Sequence, residues 1–154
     1  GFATALVHGF DMETAVRFAQ ATSALNATGL GAQAGVKDYE HTLAFMDVMP
    51  QADGHTLVIP KMPSRNLLDA DPKDLGALIA TVRKVANAAK AAFGSEGVLI
   101  QQFNEPAAGQ TVFHLHFHVL PRHEGMPLRP HSGKMADHTL LADHAARIRA
   151  ALEG

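Results

Sequence analysis

The sequence predicts an α+β fold: an antiparallel sheet of about five strands, one long helix laid on it, a C-terminal helix and an additional helical segment at the N-terminus. Three observations carry the prediction. Short apolar segments at residues 42–47, 55–60, 98–103 and 113–119 have strand composition or period-two alternation, and turn residues bound them. Residues 71–93 carry apolar side chains at spacings of three and four, the repeat of a helix. A second stripe, Leu141, Ala145, Ile148 and Leu152, predicts a terminal helix over 138–152.

In chain order, residues 2–8 read as a short helix stopped by Gly9, and Asp11 as the N-cap of an Ala-rich helix reaching about Ala27. Gly29, Gly31 and Gly35 then mark a loose turn or linker. Residues 42–47 and 55–60 form a hairpin whose turn contains Asp53-Gly54, and Pro60 and Pro63 end its second strand. Asp71-Pro72 opens the long helix as an N-cap followed by proline in the first turn, and Gly94 closes it. Residues 98–103 form the next strand, antiparallel to the histidine-rich one that follows the loop 104–109. Residues 124–133 read as loop. The domain division is therefore a helical segment over 1–34 and a domain over 35–154.

Composition narrows the function classes. The chain has 154 residues, 47% of them hydrophobic and 18% charged, which fits one folded domain with a core of its own. A net charge of −2 carries no basic signature for nucleic acid or a membrane surface. The absence of cysteine excludes disulfides and thiolate zinc sites. Neither a membrane-length apolar run nor a secretory leader is visible, so a cytoplasmic protein is expected.

The chemistry concentrates in residues 110–122. His114, His116 and His118 alternate with Leu115, Phe117 and Val119. On a strand, alternate residues share a face, so the three imidazoles should form one row with roughly 6.7 Å between successive Cα atoms. The residues leave three readings: a polar strand face, a zinc site completed by His55, His123 or His131, or nucleophilic and acid–base work on a phosphoryl group. Gly109, Gln110 and Thr111 favour the last, because they offer flexible backbone, an amide and a hydroxyl to phosphate oxygens. Neutral imidazole is also a competent nucleophile near pH 7.

The run His114-Leu115-His116-Phe117-His118-Val119-Leu120 resembles the motif of the histidine triad nucleotide hydrolases and transferases. Residues 43–61 and the stretch from Asn104 through Gly109 to His114 are similar to the same family, in the same order. The pattern is nearest the bacterial nucleotide-binding branch of phosphoramidase type, and it runs from about Val36 to the C-terminus. This resemblance implies that His116 is the nucleophile that forms a covalent nucleotidyl-histidine. It implies that His114 and His118 orient it and contact phosphate or leaving group. Gln110 and Thr111 would bind the α-phosphate region with Asn104 and the Gly109 backbone nearby, and Asp47 would hold the ribose hydroxyls. The resemblance further implies a homodimer, a purine nucleotide or nucleoside phosphoramidate as ligand, and chemistry with no metal or other cofactor.

Two departures qualify it. Many relatives carry a fourth histidine shortly after the Pro-Lys that is here Pro60-Lys61, where this chain has Met62-Pro63-Ser64; His55 reads as structural. The N-terminal element that usually contacts the base is replaced by residues 1–34, whose first part resembles the tail of ribokinase-type sugar kinases without their Gly-Ala-Gly-Asp motif. A fusion of such a fragment to a shortened histidine triad domain is the reading, with no sugar kinase function carried over. The expected function is hydrolysis of a nucleoside phosphoramidate or related nucleotide ester. The alternative is a nucleotide-binding or scaffold protein whose catalysis is weakened, and a zinc-binding module is the third.

Overall fold

The computed structural model describes residues 35–130 and 134–154. The expected helical segment 1–34, and His131 with it, lie outside the described residues. Among the described residues five strands form one sheet: β1 (Gly35–Asp38), β2 (Thr42–Met46), β3 (Thr56–Pro60), β4 (Gly97–Gln101) and β5 (Phe117–Arg122), in the spatial order β1-β2-β3-β5-β4. Each neighbouring pair is antiparallel. Helix α1 (Pro72–Phe93) crosses from β3 to β4, and α2 (His138–Glu153) ends the chain. The α+β expectation therefore holds for the sheet, the long helix and the C-terminal helix.

Strands β3 and β4 both run opposite to β5, so α1 is a crossover between two parallel strands that leaves a gap between them. Strand β5 fills that gap last and bonds to both sides. The strand that carries His118 is thereby an interior one, hydrogen-bonded on both sides.

Local chemistry explains the helix boundaries. The Asp71 side chain accepts from the Lys73 N–H, and Pro72 occupies the first turn, where its missing N–H costs nothing. Gly94 ends α1 in the left-handed region at φ 59°. Asp137 caps α2 in the same way as Asp71 caps α1, through the Thr139 N–H. The buried stripe of α1, including Leu78, Val82, Val85 and Ala89, meets Ala44, Met46, Val58 and Val119 of the sheet. Leu141, Ala145 and Ile148 of α2 complete the same core. Each large aliphatic side chain buried this way contributes about 1.5–3 kcal/mol relative to exposure. No helix among the described residues is long and apolar enough to cross a membrane.

Two expectations need correction. Strand β1 falls where glycines suggested a linker. It is four residues long, only Val36 of it is buried, and its register shifts between Gly35 and Lys37, so it carries almost no pattern to read. More important, the histidine strand begins at Phe117, so His114 and His116 precede it. The pairing of β3 with β5 stops at Val58↔Phe117. Before that point the chain leaves the sheet to serve other partners: the Leu115 N–H donates to the Ser64 carbonyl at 2.8 Å, and the His114 ring meets the Pro60 carbonyl at 2.9 Å.

The hairpin turn between β2 and β3 is tied to both helices. Gly54 has φ 77°, and a Cβ there would lie 2.5 Å and 2.7 Å from ring atoms of Phe93. That ring cannot easily yield, because the Arg147 guanidinium lies 4.2 Å above it and the edge of His144 packs at 4.9 Å. The Gly54 N–H donates to His144 Nδ1 at 3.3 Å, and burial pushes the His144 pKa down, which keeps that nitrogen an acceptor. Gly54→Ala is expected to lower stability by about 2–4 kcal/mol, combining overpacking with a Cβ at positive φ. Urea denaturation of the two proteins measures this.

Candidate active site

Asp47 follows the last residue of β2 and is 7% exposed. Its Oδ1 accepts from the Met49 N–H at 2.8 Å, which folds the chain into the hairpin turn. Its Oδ2 lies 3.6 Å from Nε2 of His55, a fully buried side chain. The Gln51 N–H donates to His55 Nδ1 at 3.1 Å. That bond places the His55 proton on Nε2, since a neutral imidazole has one donor and one acceptor nitrogen. His55 Nε2 then donates to Nδ1 of His118 at 2.9 Å, and the His118 proton is driven to its own Nε2. A chain of directed bonds thus runs from the turn backbone through two buried imidazoles to the site.

His116 is set differently. Its Nδ1 donates to the His114 carbonyl at 2.7 Å, which leaves the lone pair on Nε2. Its ring packs edge-on against that of His118, with centroids 5.0 Å apart. His114 and His118 are 4% and 5% exposed, whereas His116 is only partly buried. Of the three, His116 is the most exposed, and its Nε2 carries a lone pair while Nε2 of the neighbouring His118 carries a proton. Such a pair can attack an electrophile and hydrogen-bond the charge that develops.

The loop before the histidines is a rigid frame. Gln110 is 3% exposed, and its amide is spent inside the protein. Nε2 donates to the carbonyls of Arg65 and Val112 at 2.7 and 3.1 Å, and Oε1 accepts from Asn66 Nδ2 and the Glu105 N–H at 3.0 and 2.7 Å. Asn104 Oδ1 accepts from the Leu67 N–H and Gln102 Nε2, both at 3.0 Å. Gly109 closes a short 3-10 turn at φ 94°, its N–H bonded to the Pro106 carbonyl at 3.0 Å. Thr111 is exposed at the end of this loop. Glu105 has φ 71° and ψ 159°, a region that only glycine adopts readily and that costs other residues about 1–3 kcal/mol. Arg65 and then Asn66 hold its carboxyl down to about 2.

Sequence reasoning named Asp47, Asn104, Gly109, Gln110, Thr111 and the three histidines. Asp47 lies beside the His55–His118 pair, and the loop residues lie together on the chain leading to His114. His55 was read as structural, yet it contacts both Asp47 and His118. Its position directly after the Asp53-Gly54 turn, one residue before a strand that pairs with β5, was the available signal. Asn66, Arg65 and Glu105 gave no signal, because their roles depend on contacts some 40 residues apart in sequence. Of the other proposed zinc ligands, His123 pairs instead with Glu96 at 3.0 Å.

The sequence profile of the HIT domain matches residues 32–125. The chain belongs to the HIT family. A HIT-like protein from Bartonella henselae, described as involved in cell-cycle regulation and solved with an unknown ligand, has a similar structure. It is 51% identical with a TM-score of 0.74, over 77% of this chain and 85% of that one. A zinc-bound histidine triad protein from Mycobacterium smegmatis is 31% identical with a TM-score of 0.70, over 86% of this chain and 92% of that one. Among curated relatives, the HIT-like protein MG132 of Mycoplasma genitalium is 37% identical over 89 residues, 58% of this chain and 63% of its own length. The adenylylsulfatase HINT3 of Arabidopsis thaliana is 35% identical over 99 residues, 60% of this chain and 50% of its own length. The chain thus spans between half and two thirds of these two curated relatives. In this HIT domain a cavity of about 430 Å³ lies elsewhere: Phe93, Arg122, Arg129 and Arg147 are among the residues lining it at the far end of β5 from His116.

The buried histidine pair is the part of the site with most to lose. His55→Leu leaves the Gln51 N–H and His118 Nδ1 without their partner, at roughly 1–3 kcal/mol for each buried polar group. A fall in stability of about 2–4 kcal/mol is expected in urea denaturation, larger than a size-matched change would cause.

Proposed function

We propose that this HIT protein hydrolyses a nucleoside phosphoramidate or a related nucleotide ester through a covalent intermediate on His116. The observation that supports this best is the hydrogen bond from His116 Nδ1 to the His114 carbonyl, which points the Nε2 lone pair away from the backbone. In the first step Nε2 attacks the α-phosphorus, a P–Nε2 bond forms and the bond to the leaving amine breaks. The amine departs with a proton supplied from the site or solvent. Water then attacks the phosphorus, the P–Nε2 bond breaks, and the nucleoside monophosphate leaves with His116 restored. His118, holding its proton on Nε2, is the donor proposed for the charge that develops on the phosphoryl oxygens.

Asp47 is proposed to receive the ribose hydroxyls through Oδ2, with Oδ1 committed to the Met49 N–H. Thr111 is proposed as a direct phosphate contact. Gln110, Asn104 and Gly109 are proposed to act by shaping the loop, which fits their internal bonds. The adenylylsulfatase relative fits an adenylyl group as the bound half of the substrate. Base recognition is proposed to be weak, on the reading that residues 1–34 stand in place of the element that usually contacts the base. A homodimer is part of the same reading: β4 is an edge of the sheet and carries the 39% exposed Ile100, which a second copy would cover.

The test is single turnover of adenosine 5′-phosphoramidate. Wild type is expected to release adenosine monophosphate and to show a nucleotidyl adduct on His116 in quenched samples. His116→Ala is expected to lose at least about 10³-fold in rate, the scale on which removal of a nucleophile is felt. Turnover that survives the substitution removes the proposed nucleophile.

A second reading has an observation of its own. One donor atom each from Asp47, His55 and His118 lies within 4.8 Å of the others, all three residues are buried, and two imidazoles with a carboxylate suit zinc. An ion there would take the place of the His55–His118 hydrogen bond and hold both rings, and no step above runs through it. If this reading holds, wild type dialysed against zinc retains one equivalent by elemental analysis, and His55→Gln retains none. Equal retention by both proteins places the metal elsewhere.

A further inference from the structure

The histidines do not explain why residue 105 is a glutamate. Among the described residues, every other positive φ belongs to a glycine. A glycine would adopt φ 71° and ψ 159° without strain, so the side chain is retained against a backbone that disfavours it. Conformations of this kind persist only where the surroundings over-determine them.

Here the surroundings do so from both sides. The Glu105 carboxylate accepts from Nε and Nη2 of Arg65, each at 2.8 Å, in the two-point geometry that matches guanidinium to carboxylate. Asn66 Nδ2 adds a third bond at 2.8 Å. The Glu105 N–H donates to Gln110 Oε1 at 2.7 Å, and its carbonyl accepts the N–H groups of Ala108 and Gln110 at 3.0 and 3.1 Å. Arg65 stacks 4.1 Å from the ring centroid of Phe113, the residue before His114, and its carbonyl accepts from Gln110. The contacts close a ring through residues 64–66, 104–110 and 112–115. The ring ends one residue before His116.

The ion pair that holds this ring is nearly half exposed at both ends, which limits what it contributes to stability. A strained backbone and a weakly stabilising pair make little sense as a device for holding the fold together. They make sense as a device for placing a loop. We infer that Glu105 is a positioning residue: its clamp on Arg65 fixes the loop 104–111 relative to the His116 imidazole at some expense of stability. The inference rests on the phosphoryl-transfer reading above, and it assigns Glu105 no contact with substrate.

Two variants test it. Glu105→Gly removes both the carboxylate and the strain; Glu105→Gln keeps the strained backbone and the side-chain length but removes the charge. Thermal melts are expected to place Glu105→Gly level with wild type or above it. Turnover of adenosine 5′-phosphoramidate is expected to fall in kcat by roughly 10–10²-fold, the effect of a small misplacement of reacting groups, with KM changed less than about threefold. Glu105→Gln is expected between the two. In hydrogen exchange, the amides of residues 106–112 are expected to exchange faster in both variants while those of β2 and β3 keep their protection. A variant that loses stability yet keeps the wild-type kcat makes Glu105 an ordinary structural residue and overturns the inference. So does an unchanged exchange pattern. Wild type without turnover overturns the reaction itself, and with it the thing to be positioned, which separates that failure from the other two.

Discussion

The hydrogen bond between His55 and His118 is the constraint on which the remainder of the site depends. Both rings are buried, so each must have its polar atoms met, and each nitrogen's role is fixed by what lies on its other side. The Gln51 N–H decides the tautomer of His55, and His55 decides that of His118. Meeting at 2.9 Å requires β3 and β5 to be adjacent and in a single register, Leu57 opposite His118. It also requires a turn between β2 and β3 that brings the Gln51 backbone back over the start of β3. A slip of β5 by one residue would turn His118 to the other face and take away the acceptor that His55 Nε2 now meets at 2.9 Å. The sheet register and the protonation pattern are therefore one specification.

Placing β5 between β3 and β4 has a similar double effect. A central strand is held on both sides, so its side chains have little positional freedom. Its first residue, Phe117, also marks where the chain leaves the ladder. His114 and His116 lie just outside, where the backbone is bent enough for the His114 carbonyl to accept from the His116 ring. In a regular strand that carbonyl would point sideways into a neighbouring strand. The departure from regular structure is what makes the tautomer of His116 complementary to that of His118.

Much of the fold was legible in the sequence because its signals are local. The cap at Asp71, the stop at Gly94, the period of α1 and the Asp53-Gly54 turn each depend on residues within a few positions of one another. The histidine row was legible as a cluster but misread as one strand, because alternation continues for several residues past the point where ladder pairing ends. Period alone cannot see that Ser64 and Pro60, far back in the chain, compete for the backbone and ring of this segment. His55 was legible as a residue and not as a partner, since only the register of two strands brings it to His118. The Arg65–Asn66–Glu105–Gln110 cluster was the least legible: its members are common surface residue types, and the one local oddity, a glutamate at positive φ, is a fact about backbone angles that the letters do not carry.

The distribution of burial then separates two kinds of work. Asp47, His55, His114, His118, Asn66 and Gln110 are all buried, and the bonds described above link them to one another or to backbone. Groups so placed have little latitude to rearrange when a substrate arrives. His116 and Thr111 stand at the edge of that network with more surface exposed. For the reaction proposed above, an arrangement of this kind would keep reorganisation small, because the dipoles that would meet developing charge are already oriented by the fold. It also localises the cost: strain at Glu105 and desolvation at His55 are met during folding, by a core that α1 and α2 supply. The stability of this domain and the readiness of its histidines are thus linked through the same few buried polar contacts.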